Sequence, residues 1–466
     1  MKVGGSEMTV ATAPAGSLIQ AWVDALARQA PQPGPSWLNQ IRQTAATALR
    51  RYGLPGNKDE AWKYTSLRRL ESLAPAMGEP SAAGAGVWPT LFPEPAGFGF
   101  QVLDGRPEWL DAPLPAGVSM QTLAEALGSA ADPALPPRLR QMLESVEVEG
   151  RSRAFEALNN ASLSRAIVIH VAAGQDAGTC LARWGFGTSV APRIFNVRLL
   201  LVLEPGSRLR LLEQYCAVAG PSRETVVTGG RQPGQALNLL VQADLAADAT
   251  LQHIRVQKAP DESILLTFNR VRQAQRSTYD YTGLDLGGGL VRHDVSCALQ
   301  GVDARSAING AFLLDGERHV DNHIRVDHFA PGGSSEQFFR GTLAGRSRGV
   351  FNGKAVIHPG ADGSRVQQSN ANLLLSAEAE IDTKPELEIH ADEVDARHGA
   401  TVGQMDELAV FYLRSRGLAE DQARRLLTGA FCRAVTSRMT DTVLAGHLAE
   451  LLDQAMPLAD QTDRNG

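Results

Sequence analysis

Near the N-terminus, hydrophobic residues recur every three to four positions in two stretches, which is the spacing of an amphipathic helix. Ser17 is placed to cap the first helix, and Gly53 is placed to end the second. The apolar positions are Leu18, Trp22 and Leu26 in the first stretch and Leu38, Ile41, Ala45 and Leu49 in the second. Prolines between residues 31 and 35 separate the two. The pattern therefore predicts that the chain opens with two helices.

From about residue 166 to residue 390 the helical spacing is replaced by short β-type runs. Such runs lie at residues 167–171, 197–202, 209–212, 237–241 and 264–268. Further along, similar segments follow Arg305, Ser335, Gly349, Ser364, Ala379 and Asp395, with one more unit hidden in the first, longer gap. We interpret each unit of about fifteen residues as a strand of 4–6 residues, a turn and a second strand.

Repetition at this period predicts coils stacked along an axis, as in a β-helix or solenoid. No helix-length pattern lies between the strands, which disfavours alternating βαβ units. A twisted β-sandwich remains the alternative, because it also gives short strands with glycine-rich turns.

After His398 the helical spacing returns. Asp406 and Asp441 are placed to cap two helices, and Gly417 is placed to end the first of them. We expect this small bundle to cover the last turn of the solenoid, whose strand edges would otherwise be exposed. The predicted domains are an N-terminal helical and mixed domain with a linker at 1–155, the β core at 156–398, and a C-terminal helical domain with a polar tail at 399–466.

Composition and charge narrow the function classes. The formal net charge of the 466 residues is −6 and no cluster of Lys or Arg stands out, which argues against nucleic acid as a partner. No apolar run approaches 18 residues, so we expect no membrane span. The first sixteen residues lack the apolar segment of a secretory signal. The four cysteines (Cys180, Cys216, Cys297 and Cys432) are widely spaced, which predicts reduced thiols in the cytoplasm rather than a self-contained zinc or iron–sulfur site.

Three motifs could carry chemistry. Residues 351–355, FNGKA, resemble the end of a phosphate-binding loop, but Arg348 replaces a required glycine and Ala355 replaces the hydroxyl that holds magnesium. An acidic run from 382 to 395 is interpreted as a solvated face. The third motif, EAWKYT at 60–65, is expected to pack through Trp62 and Tyr64 against the β core.

The histidines form a second group of candidates: His319, His323, His328, His358, His390 and His398. His323 and His328 are five positions apart, so on one strand they face opposite sides, and we expect surface or turn roles rather than a metal site. His358 and His390 each end an apolar strand beside a turn. His398 lies where the β region passes into the C-terminal helices.

The segments DTKPELEI at 382–389, HGATVG at 398–403 and FYLRSRG at 411–417 together closely resemble the core of the SufB/SufD family, in order and in spacing. FNG at 351–353, NANLLL at 370–375 and EAWKYT at 60–65 are similar as well. Within the family the chain resembles the SufD type, because Gly399 stands where the SufB type carries Glu and no cysteine lies between Cys297 and Cys432.

The resemblance implies a right-handed parallel β-helix with helical domains at both ends. It also implies a non-catalytic scaffold for iron–sulfur cluster assembly, with SufB paired through the β-helix, the ATPase SufC docked on the C-terminal helices and sulfur supplied by a cysteine desulfurase system. By resemblance, His398 would help to hold iron or a nascent, transient cluster shared with SufB, and no tightly bound cofactor is expected in this chain alone. Ala396 stands where many relatives carry a cysteine, so no thiolate ligand is assigned here. The candidate SufC-docking residues are Phe411, Tyr412, Arg414, Arg416, Leu426 and Phe431.

Two alternatives accompany this hypothesis. One is a SufB-like scaffold that acts as a homodimer. The other is a β-helix carbohydrate-active enzyme, which the absence of a predicted signal peptide and the helical C-terminus disfavour.

Overall fold

The structure is a computed structural model that describes residues 15–28, 34–78, 86–93, 97–128, 133–164, 166–187, 191–219 and 234–456. The predicted polar tail at 457–466, most of the predicted linker and the side chain of Ser17 lie outside the described residues. Within the described ranges, no helix is long and apolar enough to cross a bilayer.

Helices occupy both ends of the chain, as the apolar spacing predicts. The N-terminal helices are α1 (Ala15–Arg28), α2 (Ser36–Tyr52), α3 (Arg68–Leu73), α4 (Leu123–Gly128), α5 (Leu135–Glu144) and α6 (Ala154–Ala161), with 3₁₀ turns at Glu60–Trp62 and Arg151–Arg153. The C-terminal helices are α7 (Glu407–Ser415), α8 (Glu420–Thr436) and α9 (Thr442–Gln454). Asp406 and Asp441 accept hydrogen bonds from the first backbone N–H groups of α7 and α9, so both predicted caps are confirmed.

The described residues form twenty strands: four are interspersed with the N-terminal helices, and sixteen lie between α6 and α7. The first are β1 (Ala76–Met77), β2 (Phe98–Leu103), β3 (Arg106–Trp109), β4 (Val118–Thr122), β5 (Ala166–Val171), β6 (Asp176–Phe186), β7 (Arg193–Leu203), β8 (Arg208–Ala217), β9 (Ala236–Leu245) and β10 (Thr250–Lys258). The others are β11 (Ile264–Gln273), β12 (Thr278–Asp285), β13 (Leu290–Leu299), β14 (Arg305–Leu314), β15 (His319–His328), β16 (Ser334–Leu343), β17 (Arg348–Ile357), β18 (Arg365–Leu374), β19 (Glu380–Ile389) and β20 (Asp395–Gln404).

Consecutive strands from β5 onward alternate between two sheets. One sheet has the order β4-β5-β7-β9-β11-β13-β15-β17-β19, with β1 beside β7, and the other has the order β3-β2-β6-β8-β10-β12-β14-β16-β18-β20. All neighbours from β5 and β6 onward are parallel, whereas the β2–β3 and β4–β5 pairs at the N-terminal end are antiparallel. A chain that visits two sheets in turn and advances by one parallel strand each time is a parallel β-solenoid. The predicted fold class is confirmed, and the sandwich alternative is wrong.

The repeat unit differs from the one that the sequence predicts. Each unit of about fifteen residues holds one ten-residue strand and a turn, so two units make one turn of the solenoid. The hidden unit in the first gap is β15. The sequence predicts two shorter strands in each unit because polar residues interrupt the apolar runs. Gly316, Gly332 and Gly345 lie in the turns with positive φ, a backbone conformation that glycine adopts without strain.

The two groups of helices cover the outer faces of the two sheets. Trp22, Trp62 and Phe155 pack with Leu240 and Phe268 on the odd-numbered sheet. On the even-numbered sheet, the C-terminal helices pack their residues Cys432, Val435 and Leu448 against a patch that includes Leu284 and Leu313. The expectation that the C-terminal bundle covers the end of the solenoid is therefore wrong. The bundle packs instead on the outer face of the even-numbered sheet, because its apolar residues match the outward-facing apolar residues of β12 and β14.

The C-terminal end of the solenoid is consequently open. In the described part of the chain, β19 and β20 each have one neighbouring strand, and their other edges are free. β20 runs to Gln404, so residues 399–404 belong to the last strand, and α7 begins at Glu407.

Candidate functional site

His398 lies on β20, the last strand of the even-numbered sheet, directly opposite Gln368 of β18. Paired residues of neighbouring parallel strands point to the same side of a sheet. Gln368 is buried in the solenoid, with 3% of its surface exposed, so His398 continues the inward-facing row. Because no described strand follows β20, this inward position is exposed, and the imidazole faces the open end.

Polar side chains of β18 and β19 line part of the interior of the last two turns, and they bring two of the sequence motifs together. Thr383 Oγ1 of the 382–389 segment donates to Asn370 Oδ1 of the 370–375 segment at 2.8 Å. Asn372 Nδ2 donates to Asn370 Oδ1 at 2.6 Å and to the carbonyl of Thr401 at 3.4 Å. These contacts link β18, β19 and β20 beside His398, so the motifs build the inner wall of the open end.

Apolar side chains also mark the open end as a surface that a partner would cover. Ile389 pairs with the buried Ile357, and Val402 pairs with the buried Asn372, so both occupy inward-facing rows. They are nonetheless 44% and 49% exposed. The free edges of β19 and β20 add unpaired backbone N–H and C=O groups, which are a template for pairing with another chain.

The EAWKYT segment crosses the outer face of the odd-numbered sheet. Trp62 is 1% exposed, packs against Phe155 with ring centroids 5.4 Å apart, and carries the Arg292 guanidinium 4.0 Å above its ring. Glu60 forms an ion pair of 2.7 Å with Lys384 on β19. The predicted packing role of Trp62 is confirmed, and the segment reaches the last turn of the solenoid.

All four cysteines are buried and form no disulfide. Burial raises the pKa of the Cys216, Cys297 and Cys432 thiols to about 12, and it raises that of Cys180 further. None of these thiols is available as a thiolate at the open end, and Ala396 lies two residues before His398 on the same strand. Any thiolate ligand at this site would have to come from another chain.

Three of the other candidate histidines contact neighbouring side chains. His323 Nε2 lies 3.2 Å from Asp321, and His358 contacts Asp327 at 2.9 Å and stacks on Phe329. His328 is buried against Ser335, because it lies on the inward row of β15, so of the predicted surface or turn roles the surface role is wrong; the residue ends β15 just before a turn. Among the described residues, no group of three or more His, Cys, Asp or Glu side chains is arranged to hold a metal ion.

The candidate docking residues on α7 and α8 divide into two groups. Phe411 and Tyr412 are 68% and 57% exposed, Arg416 lies over the Tyr412 ring, and Arg414 and Leu426 are also exposed. Phe431 instead packs in the core between α8 and the sheet, beside Arg340. Leu408, which is 79% exposed, joins the first group. The candidate docking residues named from the sequence do not include Leu408.

A charged network inside the solenoid was also missed. Glu213 accepts from Trp184 at 2.9 Å and contacts His253 at 2.6 Å. The next group along the interior is Arg255, which is paired with Asp285 at 3.0 Å. Along these strands, the inward charged residues alternate with outward residues, several of them apolar. This alternation is the feature of the sequence from which the network could have been predicted.

Asp285 joins the network to the facing sheet through His293 Nε2, 2.9 Å away, and Thr267 contacts His293 Nδ1. Burial and the charge of Arg255 lower the pKa of His293 to about 4, so its ring is neutral at pH 7. A neutral ring that donates from Nε2 to the carboxylate accepts at Nδ1, which fits the Thr267 hydroxyl as donor. Although burial acts to raise the pKa of Asp285, Arg255 and His293 hold it below its ordinary value.

Comparison with known proteins connects this geometry to a family. Residues 186–431, more than half of the chain, match the family model described as the SufBD core domain of SUF system FeS cluster assembly. The chain belongs to the SufBD family. The matched range covers most of the solenoid, α7 and most of α8, and it therefore includes the open end.

The similarity to SufBD family relatives extends over nearly the whole chain. An iron-sulfur cluster assembly SufBD family protein of Synechocystis is 29% identical over 88% of this chain and 89% of its own length. The iron-sulfur cluster assembly protein SufD of Escherichia coli is 26% identical over 94% of this chain and 97% of its own length. A SufBD family protein of Mycobacterium leprae is 27% identical over 52% of this chain. The family prediction made from the 382–417 motifs is confirmed.

Proposed function

We propose that this chain is a SufD-type, non-catalytic scaffold subunit that pairs with a SufB-type subunit through the open end of its solenoid. The observation that carries the proposal is His398, an inward-facing imidazole exposed at a solenoid end with two free strand edges. The exposed inward-facing Ile389 and Val402 support it, because pairing with a second solenoid would remove their apolar surface from water.

At this contact, His398 supplies one nitrogen ligand to iron or to a nascent iron–sulfur cluster, which is the cargo of the complex. A neutral imidazole is a good iron ligand. The remaining ligands, thiolates included, come from the SufB-type partner, since the four thiols of this chain are buried with raised pKa values. A site divided between two chains is incomplete in each of them, which suits a cluster that must leave.

The exposed face of α7 and α8 is the docking surface for the SufC-type ATPase in this proposal. Its apolar centre consists of Leu408, Phe411 and Tyr412. Its basic rim consists of Arg414 and Arg416. Protein–protein interfaces are enriched in aromatic and Arg side chains of this kind. Sulfur reaches the SufB-type partner from a cysteine desulfurase system, and the complex works in the cytoplasm.

The test is reconstitution of the complex with purified SufB-type and SufC-type partners and the His398→Ala variant. We expect the variant to fold and assemble, and to lose most of the iron and the cluster absorbance that the wild-type complex acquires. His390→Ala is the matched control, because His390 is also exposed in the last turn but ends the strand beside a turn. Unchanged cluster yield in His398→Ala would overturn the role of His398.

A homodimer is the second candidate assembly, because the same free edges can pair with a second copy of this chain. Mass measurement by sedimentation, with and without the SufB-type partner, separates the two. A stable dimer that the SufB-type partner does not disrupt favours the homodimer.

A further inference from the structure

Gln368 is a buried amide with no partner, and it stands directly behind His398. It is 3% exposed, yet neither its Nε2 nor its Oε1 makes a hydrogen bond with any described residue. A buried amide without hydrogen bonds is costly, by about 1–3 kcal/mol for each unsatisfied group. Such a group in a native interior indicates a partner that the isolated arrangement does not provide.

The register identifies that partner. Gln337, Gln368 and His398 occupy consecutive positions of one inward-facing row, on β16, β18 and β20. Residues paired on neighbouring strands are about 4.8 Å apart, a spacing that long side chains such as Gln and His can bridge. The side chain of His398 makes no hydrogen bond within the described part of the chain, and so it is available to bond with Gln368.

Gln337 determines which way the amide group of Gln368 is oriented. Its Nε2 donates to the backbone carbonyl of Lys354 at 3.4 Å, so its free Oε1 is an acceptor. Of the two polar atoms of the Gln368 side chain, Nε2 is the one that can donate to that oxygen. Oε1 of Gln368 is then left facing His398, where it accepts from a ring N–H.

We infer that Gln368 is a positioning residue for His398: its Oε1 accepts a hydrogen bond from one ring nitrogen and leaves the lone pair of the other for iron. This inference rests on the proposed function. Metal-binding histidines commonly donate their second ring N–H to such an acceptor, which fixes the tautomer and the orientation of the ring. Loss of the acceptor typically weakens metal binding by about 10- to 100-fold.

The first test measures the tautomer of His398 in the full-length chain labelled with ¹⁵N-histidine. The His398 signals are assigned by their loss in His398→Ala. We expect one tautomer to dominate in the wild type and a mixture to appear in Gln368→Leu, which keeps the bulk but not the acceptor. Gln368→Glu, which keeps an acceptor oxygen, should restore the single tautomer. Gln367→Leu is the matched control, since Gln367 is the exposed, outward-facing neighbour.

The second test measures Fe²⁺ bound anaerobically by the complex with the SufB-type and SufC-type partners. Gln368→Leu should lower the apparent affinity by about 10- to 100-fold, with Gln368→Glu near the wild type and Gln367→Leu unchanged. A wild-type His398 that populates both tautomers equally, or a Gln368→Leu variant with the wild-type tautomer, would overturn the inference. Both outcomes are independent of the cluster-yield result for His398→Ala, which tests the proposed function.

Discussion

Replacement of Asp285 by Ala should be among the most destabilising single substitutions in the solenoid. Arg255 and Asp285 are each only 2% exposed in their side chains, and one guanidinium nitrogen contacts both carboxylate oxygens, at 3.0 and 3.1 Å. The same carboxylate holds His293 at 2.9 Å. Removal of Asp285 therefore leaves a buried cation without its counter-ion.

The expected magnitude follows from this geometry. Breaking a buried pair by removing one partner typically costs about 3–5 kcal/mol, because an uncompensated charge stays in the interior. A protein domain is stable by only about 5–15 kcal/mol, so Asp285→Ala should lower the urea midpoint strongly, as followed by circular dichroism. The reason is loss of charge compensation rather than loss of volume, because Asp285 is a small side chain.

A double variant separates these two causes. Arg255→Met combined with Asp285→Ala removes both charges, and replacing a buried ion pair with apolar groups is often neutral or stabilising. The double variant should therefore recover much of the stability that Asp285→Ala loses. An Asp285→Ala midpoint close to the wild type, or a double variant less stable than the single one, would refute the reasoning.

The remaining predictions concern titration, packing and the exposed surfaces. The pKa of His293 is lowered to about 4, below its unfolded value of about 6.5, so the unfolded chain binds more protons between these values. Stability should be full above pH 6.5 and fall as the pH drops towards 4, and His293→Gln should flatten this slope in urea titrations. Trp62→Ala should cost about 3–5 kcal/mol, measured as a lower urea midpoint. The four cysteines should resist iodoacetamide in the native chain and react after unfolding, as mass spectrometry would show. Phe411→Asp should abolish co-purification with the SufC-type ATPase while the melting temperature changes little, because Phe411 is 68% exposed.

The sequence predicts the solenoid well because turns and strand starts repeat along it. The segments that begin near Arg305, Gly349 and Asp395 mark real strands. The lengths of the strands were not predictable in the same way, because these strands carry inward polar residues such as Gln337 and Gln368 that interrupt their apolar runs. Local patterns cannot distinguish an inward polar residue from a loop residue.

The candidate site was predictable only in part. His398 was singled out through its motif, and the structure places it on the inward row of the last turn. Its neighbour Gln368 gives no local signal, because the two are thirty positions apart and meet only through the register of β18 and β20. Placement of the C-terminal helices failed for a similar reason. The apolar stripe of α8 fits either an end or a face, and outward residues such as Leu313 decide between them.

The two ends of the solenoid differ in the direction of their edge strands, so a contact made through one end is not available in the same form at the other. At the N-terminal end, β3 and β4 run antiparallel to their neighbours and interrupt the parallel ladder, whereas β19 and β20 leave the other end open. A solenoid whose two ends could both pair in the same way would add subunits without limit and form fibres. Because the two ends differ, two chains that joined through β19 and β20 would turn only their N-terminal ends outward, and those ends do not repeat the parallel strand arrangement of the open end.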